Sequence, residues 1–211
     1  MAATAFPRFG NAAPTRAMND KLMSDPNDMH GMGDSHLIFV FNALMHPEQI
    51  AACCKEPRLV TVARLPDYRL GFFGHSMRWE GGNASVVPWP GAEAWGVVYA
   101  LSPLDAQRLD LMYAVREDGS GLHFHMPGEV FDPRDGRHDV VFHLRNSLGE
   151  ERPPSTEHLR ILVEGARRRG LSTDYLHGLE TLPSQPTSIA VPRFSHLDPL
   201  AITQFGCESC V

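Results

Sequence analysis

Apolar residues in this chain come in short bursts, and turn formers separate them. The first burst, Leu37-Ile38-Phe39-Val40-Phe41, is unbroken. It predicts a strand buried on both faces, since a half-exposed strand would alternate. His46-Pro47-Glu48-Gln49-Ile50 predicts a short helix with proline in its first turn. Leu59 to Leu65 reads as a strand and Tyr68 to Phe73 as the start of another; Ala84 to Val87 and Trp95 to Leu101 add two more. Between them Gly81-Gly82 predicts a turn or a close approach of two backbones. After Leu101 the pattern becomes helical. Ser102 suits an N-cap, Pro103 the first helical position and Asp105 a capping box, with Leu104, Leu109 and Met112 as the apolar stripe. His123 to Val130 and Asp139 to Leu144 predict a hairpin around Asp132-Pro133-Arg134-Asp135-Gly136. Pro153-Pro154-Ser155-Thr156 introduces an amphipathic helix. Its apolar residues Leu159, Leu162, Val163 and Ala166 fall at i, i+3, i+4 and i+7, and Gly170 is its stop. A second short helix spans Thr173 to Leu179. Strands in runs, with helices inserted irregularly and no internal repeat, predict an α+β domain rather than a doubly wound sheet.

The flanks carry no such pattern. Residues 1–34 read as a flexible or docking N-terminal arm, residues 35–182 as the folded domain, and residues 183–211 as an extended C-terminal tail. Pro183, Pro186, Pro192 and Pro199 forbid helix in that tail. Arms of this kind suit docking on a partner or a sister subunit, and a homodimer joined through them is the expected assembly. With 43% hydrophobic residues in 211, a substantial core can form. A formal charge of -6, with Arg167-Arg168-Arg169 too short for a basic patch, argues against a nucleic-acid partner. No stretch approaches the roughly 18 apolar residues of a membrane helix. No charged segment followed by an apolar one opens the chain, so no secretory signal is expected. Four cysteines, two of them adjacent, make no disulfide framework and point to a cytoplasmic protein with reduced thiols.

Several pieces stand in a characteristic order. Phe41-Asn42-Ala43-Leu44 follows the first strand. Trp79-x-Gly81-Gly82-x-Ala84 precedes Pro90-Gly91-x-x-x-Trp95-Gly96-Val97-Val98-Tyr99, and Leu109-Asp110 comes next. Pro154-Ser155, Gly165-Ala166, Gly170-Leu171 and Tyr175-x-x-x-Leu179 close the set. Over roughly residues 37–180 the chain resembles the γ-glutamylcyclotransferase-like (AIG2-like) family. That resemblance implies a small mixed α/β barrel with one pocket and extended terminal arms. It also implies an intramolecular reaction on a small-molecule substrate that bears an amide or amine. The α-amine of a γ-glutamyl group attacks its own γ-carbonyl, releasing an amine and leaving 5-oxoproline. The chemistry needs a base, N–H donors for the developing oxyanion, and a pocket that holds the glutamyl chain curled.

The resemblance places the family's donor loop at Phe41, Asn42, Ala43 and Leu44, and borders the substrate with Trp79 and Gly82. Asn42 tolerates a left-handed backbone where the family loop has Gly, so backbone donors are expected to survive. The family carries its base as the Glu of Leu-Asp-x-x-Glu-Gly-Val; here that segment reads Leu109-Asp110-Leu111-Met112-Tyr113-Ala114-Val115. Tyr113 therefore stands at the Glu position, and a phenol with a pKa of about 10 is protonated at neutral pH. A family Tyr four residues after the proline of Pro-Ser is His158 here. Tyr113 and His158 are thus the candidate catalytic pair, with Glu117 as the nearest downstream carboxylate, although the turn Arg116-Glu117-Asp118-Gly119 suggests a solvated role. The alternatives are a diverged enzyme running another reaction through Tyr113 and His158, or a non-catalytic binding or assembly protein on the same fold. Glu80 reads as a surface turn residue. His123, His125 and His143 could gather on one sheet face, but the family needs no metal, so neither a metal nor a cofactor is expected. Cys207-x-x-Cys210 reads as a free tail motif, since Cys53-Cys54 lack the spacing of a zinc site.

Overall fold

A computed structural model describes residues 35–193. The N-terminal arm at 1–34, residues 194–211 of the C-terminal tail (183–211) and the Cys207-x-x-Cys210 motif lie outside the described residues. Five strands close a barrel in the order β1-β3-β2-β4-β5: β1 (His36–Val40), β2 (Arg58–Ser76), β3 (Gly81–Leu101), β4 (His123–Phe131) and β5 (Arg137–Arg145). A parallel bridge, Ile38 to Val141, joins the first strand to the last. Helices α1 (Pro47–Ala51), α2 (Pro103–Met112), α3 (Thr156–Arg168) and α4 (Thr173–Glu180) lie outside the strand ladder, and a 3-10 turn covers Ala43–Met45. The fold is α+β, as the residue pattern implies, and closes into the barrel that the family resemblance implies. None of these helices is long and apolar enough to cross a membrane.

The unbroken apolar run is explained by what its two faces meet. Ile38 and Val40 pack with Leu44, Val97, Tyr99, Leu109, Leu159 and Leu162 in the layer between sheet and helices. Phe39, with Phe41 just beyond the strand, packs with Ala63, Val86, Val98, Val130, Val140 and Phe142, a cluster drawn from all five strands that fills the barrel. Alternation is present, but both partners are apolar.

The four short strands expected between Leu59 and Leu101 are two long ones. They pair from Arg58–Ala100 to Ser76–Gly81 with register shifts at Leu59/Thr61, Pro66/Tyr68 and Phe73/Ser76. Such irregularities bend a ladder without ending it. The middle one coincides with Asp67 at φ 60, whose Oδ1 accepts the Gly91 N–H at 2.8 Å. Gly81 and Gly82 serve close approach: a Cβ on either would strike the backbone of Arg152 to Ser155. Gly165 does the same for helix packing, because a Cβ there would strike the His46 backbone.

The helix signals hold with two exceptions. Ser102 accepts the Asp105 N–H, Ser155 the His158 N–H and Ser172 the Tyr175 N–H, each as N-cap. Leu104 is 54% exposed, however, and leaves the expected stripe to Leu109 and Met112. Asp105 does not close a capping box either. It is 1% exposed, accepts the Lys55 and Glu56 N–H groups at 2.9 and 3.0 Å, and pairs with Arg108 at 2.8 Å. Asp105 thereby ties the loop after α1 to the start of α2.

Burial alone would raise the Asp105 pKa, but the two amides and Arg108 outweigh it and the carboxyl is lowered. A depressed folded pKa means stability that is present above about pH 4, the unfolded value, and lost as pH falls through the folded one. Asp105→Ala leaves buried donors unpaired and is expected to cost about 3 kcal/mol in urea unfolding at pH 7, with a smaller cost at pH 3.

Candidate functional site

A cavity of about 560 Å³ opens at one end of the barrel. Its wall includes the Asn42–Leu44 turn, the β2–β3 connection through Trp79, the end of α2 at Tyr113, the β4/β5 ends at His123 and Arg145, the first turn of α3 at His158, and Arg193. No aspartate or glutamate lines it among the described residues.

Tyr113 caps the C-terminus of α2, its N–H donating to Leu109 O. Its Oη accepts a hydrogen bond from Asn42 Nδ2 at 2.8 Å. Burial pushes the phenol pKa up, which keeps the hydroxyl protonated. Since Oη accepts from Asn42, the phenolic hydrogen is left to be donated elsewhere. Asn42 is extended, at φ -122 and ψ -162, so the left-handed backbone allowed for it is not used. Its Oδ1 accepts the Leu44 N–H at 3.0 Å. One amide of the expected donor loop is therefore occupied by the chain itself.

His123 is a wall residue that sequence reading weighed only as a metal ligand. Its Nδ1 lies 2.7 Å from the Tyr113 carbonyl oxygen. That partner only accepts, so Nδ1 carries the hydrogen and Nε2 of the neutral ring carries the lone pair. Burial, opposed by that hydrogen bond and helped by Arg145, pushes the pKa down to about 4. The signal was available in sequence, as an alternating strand beginning at His123, but its pairing with a residue ten positions back was not.

His158 is 2% exposed, stacked on Trp79 at 4.4 Å between ring centroids and edge-on to Phe72 at 5.6 Å. Burial pushes its pKa down to about 3, although a hydrogen bond with the Gly82 backbone works the other way. Nδ1 is buried without a partner. His158 is a neutral wall of the cavity, and Tyr113 bonds Asn42 instead of pairing with it.

The other expected site residues divide. Ala43, Leu44 and Trp79 line the cavity. Phe41 does not: it points into the barrel core, on the opposite side of the chain from Leu44. Gly82 does not line it either, and instead packs on Arg152 and holds His158. Glu117 is exposed in its turn and away from the wall, because the left-handed Ala114 at φ 49 turns the chain off α2 before it. Glu80 pairs with Arg193 and His75. The three histidines do not gather as a set. His125 and His143 converge on Asp110, and of the three only His123 lines the cavity.

The cavity also holds cations. Arg78 lies over Trp79 at 5.7 Å, and Arg193 is paired with Glu80. Arg145 pairs with no carboxylate among the described residues; its Nε donates to Ser147 O at 3.3 Å, and burial lowers its pKa.

Residues 93–179 match the model of the AIG2-like family. The mouse γ-glutamylcyclotransferase is 28% identical over 154 residues, 71% of this chain and 80% of the mouse protein. The human protein of that name is 28% identical over 153 residues, 71% and 79% of the two chains. A solved γ-glutamyl cyclotransferase superposes with a TM-score of 0.70 at 25% identity, covering 82% of this chain and 100% of that one. The chain is thus similar in sequence and in fold to the γ-glutamylcyclotransferase-like, AIG2-like family. The Bacillus subtilis protein YkqA shares the fold at 17% identity, with a TM-score of 0.59.

The buried histidine leaves a measurable mark. Unfolded His158 takes a proton near pH 6.5, whereas folded His158 takes one only near 3. Stability is therefore expected to fall on acidification across that window, by at most about 1.4 kcal/mol per pH unit from this group. His158→Gln should flatten that part of the profile in denaturant unfolding followed from pH 7 to pH 4.

Proposed function

We propose that the protein is a cyclotransferase that releases 5-oxoproline from a γ-glutamyl amine, with His123 in the role of the absent Glu. The observation that carries this is the His123 ring, held by the Tyr113 carbonyl so that the Nε2 lone pair is free on the cavity wall. The named relatives, γ-glutamylcyclotransferases of mouse and man, support the reaction class.

The substrate α-ammonium gives a proton to His123 Nε2. The freed nitrogen attacks the γ-carbonyl carbon, forming the ring C–N bond. Negative charge moves to the carbonyl oxygen, where the Tyr113 hydroxyl donates; Asn42 orients it by occupying its oxygen lone pair. Collapse breaks the bond to the leaving nitrogen, which recovers the proton from His123; the second hydrogen on the ring nitrogen follows through the same imidazole, leaving the lactam N–H and a protonated amine. Atoms balance as one γ-glutamyl amine to one 5-oxoproline and one amine. Arg145 receives the α-carboxylate, and the proximity of that cation also favours loss of the ammonium proton.

Purified protein with γ-glutamyl amino acids is expected to yield 5-oxoproline. His123→Ala should lower kcat by about 10²–10⁴-fold. Tyr113→Phe should lower it by about 10²-fold, and Arg145→Ala should act mainly on KM. No product above background from the wild type would overturn the assignment. A gain of activity in Tyr113→Glu from an inactive wild type would show an intact pocket lacking its base, and would favour a diverged reaction on this scaffold.

A further inference from the structure

We propose that Asp110, His125 and His143 form a binding site for a divalent transition-metal ion of the Zn²⁺ type. None of the three lines the cavity. They come from three elements: Asp110 from the last turn of α2, His125 from β4 and His143 from β5, with the two histidines directly opposite in the antiparallel register. Cross-strand partners put their side chains on one face. Both imidazole Nε2 atoms reach the same carboxylate oxygen, Oδ1, at 2.7 Å for His125 and 2.9 Å for His143, and the donor atoms all lie within 4.8 Å of one another.

The donor types and their spacing suit a shared cation. Two imidazole nitrogens and the carboxylate oxygen they both meet put three ligand atoms of suitable chemistry in one small volume. Ligands at about 2.0–2.2 Å from a tetrahedral Zn²⁺ stand about 3.3 Å apart, so the contacts need open by only about half an ångström. Asp110 also has no Lys or Arg partner among the described residues; its ion-pair partners are these two imidazoles. Neutral imidazoles with one carboxylate leave a net negative donor set, and imidazole with carboxylate suits Zn²⁺ and its neighbours.

The ligands differ in exposure in a useful way. The His143 side chain is 5% exposed, while those of His125 and Asp110 are 45% and 32% exposed. One ligand is fixed in the core and two lie towards solvent, which gives the ion an entry route and a fourth position for water. The buried ligand connects to the cavity, since the His143 ring stacks on Tyr113 at 4.4 Å. An ion here would clamp the end of α2, and with it Tyr113, to the β4–β5 pair.

The test uses the untagged full chain, stripped with EDTA, dialysed and titrated with Zn²⁺ by calorimetry, with Co²⁺ absorption as a second readout. One ion per chain is expected, with a Tm rise on binding and Co²⁺ bands that lack thiolate charge transfer. Asp110→Asn and His125→Ala should each weaken binding at least roughly tenfold. His125 is exposed, so its variant is expected to keep the circular dichroism of the wild type. His138→Ala, which breaks a simple His–Asp132 pair at the other end of the hairpin, should bind as wild type does. No Zn²⁺ binding, binding that survives both ligand substitutions, or binding lost in Cys207→Ser/Cys210→Ser would each overturn the proposal.

Discussion

Everything in this molecule depends on β1 being buried on both of its faces. Its odd and even residues belong to different cores, one inside the barrel and one beneath the helices. A one-residue slip would exchange Phe39 with Ile38 or Val40 and misfit both layers at once, so the register is strongly specified. The residue that leaves this strand is therefore placed as firmly as the strand itself. Asn42 stands two residues after Val40, and its side chain fixes both the turn that follows and the Tyr113 hydroxyl.

The cavity inherits its order from such element ends. Tyr113 sits where α2 stops, His123 where β4 starts, Arg145 where β5 ends and His158 in the first turn of α3. Each is held by backbone as well as side chain. The Tyr113 carbonyl orients His123, and the Ser155 cap anchors the His158 N–H. Groups fixed in this way need little reorganisation when charge develops beside them. The same rigidity explains why Gly81, Gly82 and Gly165 cannot carry a side chain: the segments they touch form the frame of the cavity.

The sequence displayed the parts that depend on local rules. The cap at Ser102 and the apolar spacing of α3 need only neighbours to be read, and they hold. The ordered motifs pointed to the barrel, and Ala43, Leu44, Trp79, Tyr113 and His158 line one cavity in it. What could not be read depends on distant partners. The β2–β3 bulges let two strands look like four. The role of Asp105 rests on the amides of Lys55 and Glu56, some fifty residues away. The tautomer of His123 follows from a carbonyl ten residues earlier, and Phe41 and Gly82 look like pocket residues until their contacts are known.

The electrostatics of the wall then constrain the chemistry. A cavity with arginines, no carboxylate among the described residues, and two of its imidazoles, His123 and His158, kept neutral by burial cannot stabilise a cation as a carboxylate would. It favours anions and disfavours a bound ammonium. For a reaction that begins with loss of an ammonium proton, that bias acts in the useful direction: it lowers the substrate pKa and reduces what is asked of the base. A protonated phenol in the same wall suits the opposite partner, the oxyanion, because it can donate without being charged. Replacing a carboxylate by a tyrosine therefore need not empty the site of function. On the proposed reading, the work of proton removal passes to a neutral imidazole and the field of the arginines, and Tyr113 serves as a hydrogen-bond donor.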